Sequence, residues 1–74
     1  MKIVPDTSAI IHGVLLEELK KVKKKVEVII PLAALDELQA QASKGREVGF
    51  IGLEQLKEVR KFCDKKRIKI KFEG

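Results

Sequence analysis

Val26-Glu27-Val28-Ile29-Ile30-Pro31 is the segment that decides the fold. Its run of β-branched residues ends at a proline, which predicts a buried strand over residues 26–30. Proline has a fixed φ and no N–H, so Pro31 suits the first position of a helix. Apolar residues at helical spacing then predict a helix that continues to about residue 42: Leu32, Leu35, Leu38 and Ala42.

A short strand and two helical segments precede this region. Ile3-Val4 is an apolar pair closed by Pro5 and Asp6, which predicts a strand that stops at a turn. We expect a helix over residues 7–14, because the side chains of Asp6, Thr7 and Ser8 can all cap a first turn. Gly13 permits a break, and a second helix is expected over residues 15–24.

A long helix is predicted over residues 46–65, after Lys44-Gly45 ends the helix before it. Phe50 and Leu53 fall outside its main apolar arc, so a second packing partner is compatible with the pattern. Six other residues fall within an arc of about 140° and are expected to face the core: Val48, Ile51, Leu56, Val59, Phe62 and Cys63.

Residues 68–73 alternate between apolar and charged side chains, which predicts a third strand with one wet face. The order is therefore strand, helices, strand, helices, strand. Crossovers of this length imply parallel strands joined by right-handed connections. The predicted fold class is α/β, a three-stranded parallel sheet with flanking helices, and nothing marks a domain boundary within residues 1–74.

The composition is that of a globular, basic chain. Its 74 residues carry a formal charge of +5, with 45% hydrophobic and 36% charged residues and no Tyr or Trp, so the core must be aliphatic. Abundant Lys and Glu without Asn resemble the thermophile pattern. No stretch approaches the roughly 18 apolar residues of a membrane span. The lone Cys63 fits a reducing compartment, so we expect a cytoplasmic protein.

Polar residues follow the ends of the first two predicted strands. Asp6, Thr7 and Ser8 follow the first, and Asp36 and Glu37 lie on the helix after the second. Ligands of open parallel sheets bind beyond the carboxyl ends of the strands, and carboxylates there suit Mg²⁺ or Mn²⁺. The residues alone leave alternatives open, because Asp6 suits a helix cap and the other two acids suit a solvated helix face.

Three segments of the chain resemble PIN domains, a family of metal-dependent ribonucleases. Two are Ile3-Val4-Pro5-Asp6-Thr7-Ser8-Ala9-Ile10-Ile11 and Ile29-Ile30-Pro31-Leu32-Ala33-Ala34-Leu35-Asp36-Glu37-Leu38. The third, Gly45-Arg46-Glu47-Val48-Gly49-Phe50-Ile51-Gly52-Leu53-Glu54-Gln55-Leu56, resembles one branch of archaeal proteins. In that branch a PIN domain precedes an ATPase and a KH domain.

The resemblance implies Asp6 and Glu37 as catalytic metal ligands, Ser8 as a supporting hydroxyl and Asp36 as a flanking acid. These acids would hold Mg²⁺ or Mn²⁺, and an activated water would cleave RNA. The family carries further metal-binding acids after later strands, whereas Gly74 directly follows the third strand here. We therefore expect a truncated PIN-like fold, residues 1–74, with little or no activity alone.

Two alternatives to a partial nuclease remain open. One is a non-catalytic module that binds nucleic acid or oligomerises, and the other is a short PIN relative that completes its site across a dimer. Phosphate contacts would be salt-sensitive and independent of sequence, although a solvated surface explains the same cations. The candidate RNA-contacting residues are Lys23, Lys24, Lys44 and Arg46.

The first strand also suggests how the chain would associate. The resemblance implies the sheet order 3-2-1-4-5, so a chain without strands four and five leaves the edge at Ile3-Val4 unpaired. An apolar open edge is a template for another chain, so we expect self-association, most simply as a two-fold dimer. His12 is expected to be structural or exposed, and Cys63 is expected in the core.

Overall fold

Three parallel strands and four helices make up the computed structural model, which describes residues 1–74. The strands are β1 (Lys2–Ile3), β2 (Glu27–Pro31) and β3 (Lys69–Glu73). The helices are α1 (Thr7–Ile11), α2 (Val14–Lys21), α3 (Leu32–Ser43) and α4 (Glu47–Lys66). The predicted α/β order of strand, helices, strand, helices, strand is confirmed.

The sheet has the order β1-β2-β3, with both pairs parallel. Its register sets Ile3 beside Val28, and sets Ile70 beside Val28 on the other side. Both crossovers move to the next strand in the same direction across the sheet, so right-handed connections place all four helices on one face. Val28 and Ile30 on that face are fully buried, whereas Lys69 and Lys71 on the other face are exposed.

A single aliphatic core fills the space between the sheet and the helices. Cys63 belongs to it, as predicted, whereas His12 is exposed. Burial raises the pKa of the Cys63 thiol, because the thiolate would lose its hydration there. The other buried members are Ile10, Leu15, Leu19, Val26, Val28, Ile30, Ala34, Leu38, Leu56 and Val59.

Several helix boundaries differ from the predicted ones for local backbone reasons. The helix expected over residues 7–14 ends at Ile11, because Gly13 adopts a left-handed conformation with φ 74° and reverses the chain before α2. The helix expected to reach Lys24 ends at Lys21, and Val22 is already extended. Pro31 is extended too, with ψ 133°, so it ends β2 and precedes α3 instead of starting it.

The buried face of α4 is rotated from the predicted arc. Val48 and Ile51 were expected in the core, but they are 44% and 40% exposed. Gly49 and Gly52 are buried in their place, at the crossing with α3. The reason is steric: a Cβ at Gly49 would overlap the backbone of α3, and one at Gly52 would overlap the side chain of Leu38. The two helices therefore approach closely because those positions have no side chain.

The two residues that the sequence pattern placed outside the core-facing arc of α4 differ in exposure. Leu53 is half-buried, and Phe50 is 55% exposed on the opposite side of α4 from the two glycines. None of the four helices is both long and apolar enough to cross a lipid bilayer.

Candidate functional site

The first acid lies at the carboxyl end of β1. Asp6 is the N-cap of α1: its backbone is extended, and its Oδ1 accepts a hydrogen bond from the Ala9 N–H at 2.8 Å. This satisfies one of the free N–H groups of the first turn. Asp6 is exposed, so its second carboxylate oxygen remains open to solvent. The residue therefore has the capping role that the sequence allowed and keeps an oxygen for a ligand.

The second acid reaches the same place from the other crossover. Glu37 lies in the second turn of α3, which begins directly after β2. The hydroxyl of Thr7, the first residue of α1, donates a hydrogen bond to Glu37 Oε2 at 3.2 Å. Because Thr7 follows Asp6 in the chain, this bond brings the two carboxylates to one edge of the sheet.

The remaining candidates stand apart from that contact. Asp36 precedes Glu37 on α3, so it points about 100° away around the helix axis, and it is exposed. The Ser8 side chain is exposed and has no hydrogen-bond partner, so its expected supporting role stays a prediction. Thr7 was not predicted, since nothing in the spacing distinguishes two hydroxyls that follow the same acid. Only the packing of α1 on α3 selects it.

The donor set suits a hard divalent cation but is small. Carboxylate and hydroxyl oxygens are the ligands that Mg²⁺ and Mn²⁺ prefer, and Mg²⁺ commonly binds one or two carboxylates with water and phosphate. No group of three or more His, Cys, Asp or Glu side chains in this structure is arranged to hold a metal. Asp6 and Glu37 therefore have the oxygen donors that such a cation prefers, but they are only two acids.

Apolar residues surround Asp6 on the open side of β1. A cavity of about 250 Å³ there is lined by Ile3, Val4, Pro5 and Val14, among others. Val4 is 60% exposed, and no strand pairs with β1 on that side. The acid edge is thus continuous with an uncovered apolar surface.

A groove larger than this cavity lies elsewhere. It has a volume of about 850 Å³ and is formed by α3, α4 and β3, with an apolar floor that includes Leu53 and Ile70. Its rim carries Arg60, whose guanidinium lies 5.9 Å from the ring centre of Phe72. Neither candidate acid lines it, so its size alone does not identify it with the predicted chemistry.

The four predicted RNA-contacting cations do not form one surface. Lys23 and Lys24 precede β2, so they lie at the amino edge of the sheet, opposite the acids. Lys44 and Arg46 form the turn between α3 and α4. Since α4 has 20 residues and ends beside the start of β3, its first turn lies about 30 Å from that edge.

Comparison with known proteins gives consistent matches over nearly the whole chain. The family model described as the PIN domain matches residues 3–73. An uncharacterized KH- and PIN-domain-containing protein of Methanocaldococcus jannaschii is 35% identical over 74 residues. That alignment covers 99% of this chain and 12% of the relative.

A solved structure matches as closely. It is a domain of a functionally unknown protein from Methanocaldococcus jannaschii, with a TM-score of 0.91 and 35% identity. The match covers 99% of this chain and 53% of the solved chain, so the chain spans about half of that domain. The predicted fold is thereby confirmed in a solved structure.

Proposed function

The chain belongs to the PIN-domain family, and on this premise we propose that its carboxyl edge is part of a metal-dependent ribonuclease site. The observation that carries the proposal is the hydrogen bond from Thr7 to Glu37, which joins the loop after β1 to α3. It brings Asp6 and Glu37 to the edge of a parallel sheet where ligands bind. The two carboxylates come from different crossover connections and meet at the same edge, which supports a cation site better than two acids on separate surfaces would.

Each residue has a distinct part in the proposal. Asp6 and Glu37 offer carboxylate oxygens as ligands for Mg²⁺ or Mn²⁺, and Thr7 orients the Glu37 carboxylate. Ser8 adds a hydroxyl beside Asp6, and Asp36 remains a solvated acid next to the site. A divalent ion held there would polarise an RNA phosphodiester and acidify a bound water.

We expect the activity of these 74 residues alone to be low. Two carboxylates leave most coordination positions to water and substrate, so the cation is held weakly. The chain spans 12% of the archaeal relative and 53% of the solved domain, so most of the first and nearly half of the second lie outside the region of similarity. Efficient cleavage is proposed to require further acids beyond those that this structure describes.

Metal binding and RNA cleavage test the proposal directly. We expect Mn²⁺ binding, measured by isothermal calorimetry, to disappear in Asp6→Asn and in Glu37→Gln. Any cleavage of a fluorescent RNA should disappear with it. Asp36→Asn is the matched control, since it removes a neighbouring negative charge on the same helix. If Asp36→Asn weakened binding as much as Glu37→Gln, the effect would be one of general charge, and the assignment would fail.

A second candidate function, self-association, is favoured by the exposed first strand. Val4 is 60% exposed beside an unpaired strand edge, and such edges pair with other chains. We propose a two-fold dimer through Ile3-Val4, either as an assembly module or as a means of completing the site. Sedimentation velocity should show a dimer that Val4→Lys converts to a monomer. A dilute, well-folded wild-type monomer would contradict this proposal.

A further inference from the structure

The sheet register gathers six cations into one surface at the amino edge, which we call the basic edge. Three precede β2 and three precede β3, and these strands pair in register with Glu27 beside Lys69. The segment that precedes β2 and the segment that precedes β3 therefore lie next to each other. The terminal ammonium of Met1 adds a charge, since it donates to the Lys25 carbonyl at 3.5 Å. The basic edge consists of Lys23, Lys24, Lys25, Lys65, Lys66 and Arg67.

The charge of this surface is not neutralised by the protein. All six side chains are exposed, and the single ion pair in the structure, between Lys71 and Glu27, lies outside the group. Lys65 and Lys66 stabilise the C-terminal end of the α4 dipole, which is a structural reason for their charge. That reason does not extend to Lys23, Lys24 and Lys25, which follow α2 in a loop.

Arg67 is an independent indication of a role beyond folding. It is the only non-glycine residue with positive φ, with φ 58° and ψ 38°, at the C-cap of α4. Glycine or asparagine usually occupies such a position, because a Cβ is strained there. The cap is made by backbone groups, including a 2.7 Å hydrogen bond from Ile68 N–H to the Cys63 carbonyl. The guanidinium is not needed for these hydrogen bonds, so a glycine could occupy the position without loss of the cap.

We propose that the basic edge binds the phosphate backbone of RNA, at a site separate from Asp6 and Glu37. Phosphate contacts require clustered cations and no fixed shape, and this surface offers six of them. The buried centre of a stable protein interface is apolar or aromatic, and none of the six side chains is either, so a polyanion matches this surface better. The absence of an aromatic residue among them also means that bases are not stacked, so binding is independent of sequence.

The test is fluorescence anisotropy of a labelled, mixed-sequence single-stranded RNA with the full chain, in low salt with EDTA. EDTA removes divalent cations, so failure of the proposed nuclease site cannot affect the result. Lys24→Gln is expected to weaken binding about fivefold and to lower the slope of log affinity against log salt by about 0.7. Lys57→Gln, an equal charge change in the middle of α4, should alter the affinity by less than twofold.

Arg67→Gly separates the binding role from the structural one. Glycine relieves the strained backbone, so the thermal unfolding midpoint should rise by about 4 °C while RNA affinity falls about fivefold. Arg67→Lys keeps the charge and should retain affinity within about twofold. Equal losses in Lys24→Gln and Lys57→Gln would overturn the proposal. So would binding of polyglutamate or of phosphatidylserine vesicles at least as tightly as RNA, since either would assign the surface to another class of anion.

Discussion

The two edges of the sheet gather charge in different ways. At the carboxyl edge, Asp6 is held by a bond to Ala9 and Glu37 by a bond to Thr7, so each acid has a defined partner. At the basic edge, six cations are brought together by the pairing of β2 with β3 and by the end of α4, and they have no ion-pair partners. The first arrangement depends on the positions of individual atoms, whereas the second depends on charge density. Small displacements should therefore damage the carboxyl edge, and salt should damage the basic edge.

The largest effect is expected from separating α3 from α4, which would break the carboxyl edge first. Gly49→Ala places a methyl group against the backbone of Gln41 and Ala42, which cannot move without shifting α3. We expect the free energy of unfolding to fall by about 3 kcal/mol, as for other overpacked sites. Chemical denaturation followed by circular dichroism measures this loss.

Gly45→Asn is the control for that substitution. No atom lies within 4 Å of a Cβ at Gly45, and asparagine tolerates its φ of 75°. Its stability should remain close to that of the wild type. If the two variants were equally destabilised, close helix packing would not be the cause.

The second largest effect is expected from ionic strength, which should weaken RNA binding at the basic edge and leave the carboxyl edge unchanged. With about four phosphate contacts, raising KCl from about 50 mM to about 200 mM should lower RNA affinity about 50-fold. The hydrogen bond between Thr7 and Glu37 requires no release of counterions. We therefore attribute the salt dependence of RNA affinity to the basic edge. Anisotropy titrations at several salt concentrations give the slope. A slope of magnitude below about one would show that clustered charge does not dominate binding.

Asp6 combines two roles at the carboxyl edge, and paired substitutions can resolve them. Asp6→Ala removes the cap of α1 and should cost about 1 kcal/mol of stability, whereas asparagine caps as well as aspartate. Asp6→Asn should therefore keep its stability and still lose Mn²⁺ binding. Thermal unfolding and calorimetry on the two variants measure each role. Equal stability losses would show that the charge, and not the cap, stabilises α1.

The smallest effect concerns Cys63, which is fully buried in the core. Burial raises the pKa of its thiol, so the unfolded chain ionises at a lower pH than the folded protein. Below the unfolded pKa both states keep the proton, and above it the free energy of unfolding declines. Urea midpoints from about pH 7 to about pH 10 should decline more in the wild type than in Cys63→Ala. An identical decline in both would mean that the Cys63 thiol does not contribute to the alkaline loss of stability.

The sequence predicted the arrangement of the strands better than it predicted which face of α4 is buried. The β-branched run before Pro31 and the alternation of Ile68, Ile70 and Phe72 report burial directly, so the parallel sheet could be predicted from them. The α4 pattern misled because a glycine adds nothing to an apolar count, although Gly49 and Gly52 are at the centre of its buried face.

The candidate site was predictable only in part for a related reason. The ends of the first two strands indicated that Asp6 and the pair Asp36 and Glu37 reach one edge, and the resemblance to PIN domains then selected Asp6 and Glu37 as ligands. The strand ends do not indicate which neighbouring hydroxyl meets them, because that depends on the packing of α1 against α3. The basic edge likewise needs the pairing of β2 with β3 before its two segments can be seen as one surface.

Gly52 shows that a residue without a functional group can affect the packing beside a candidate site. The Leu38 side chain occupies the space above it, and Leu38 is the neighbour of Glu37 along α3. The packing next to Glu37 therefore depends partly on a position without a side chain, fifteen residues further along the chain (residue 37 against residue 52). A search for functional residues among polar side chains would pass over it, although a methyl group there would meet the side chain of Leu38, the residue next to Glu37.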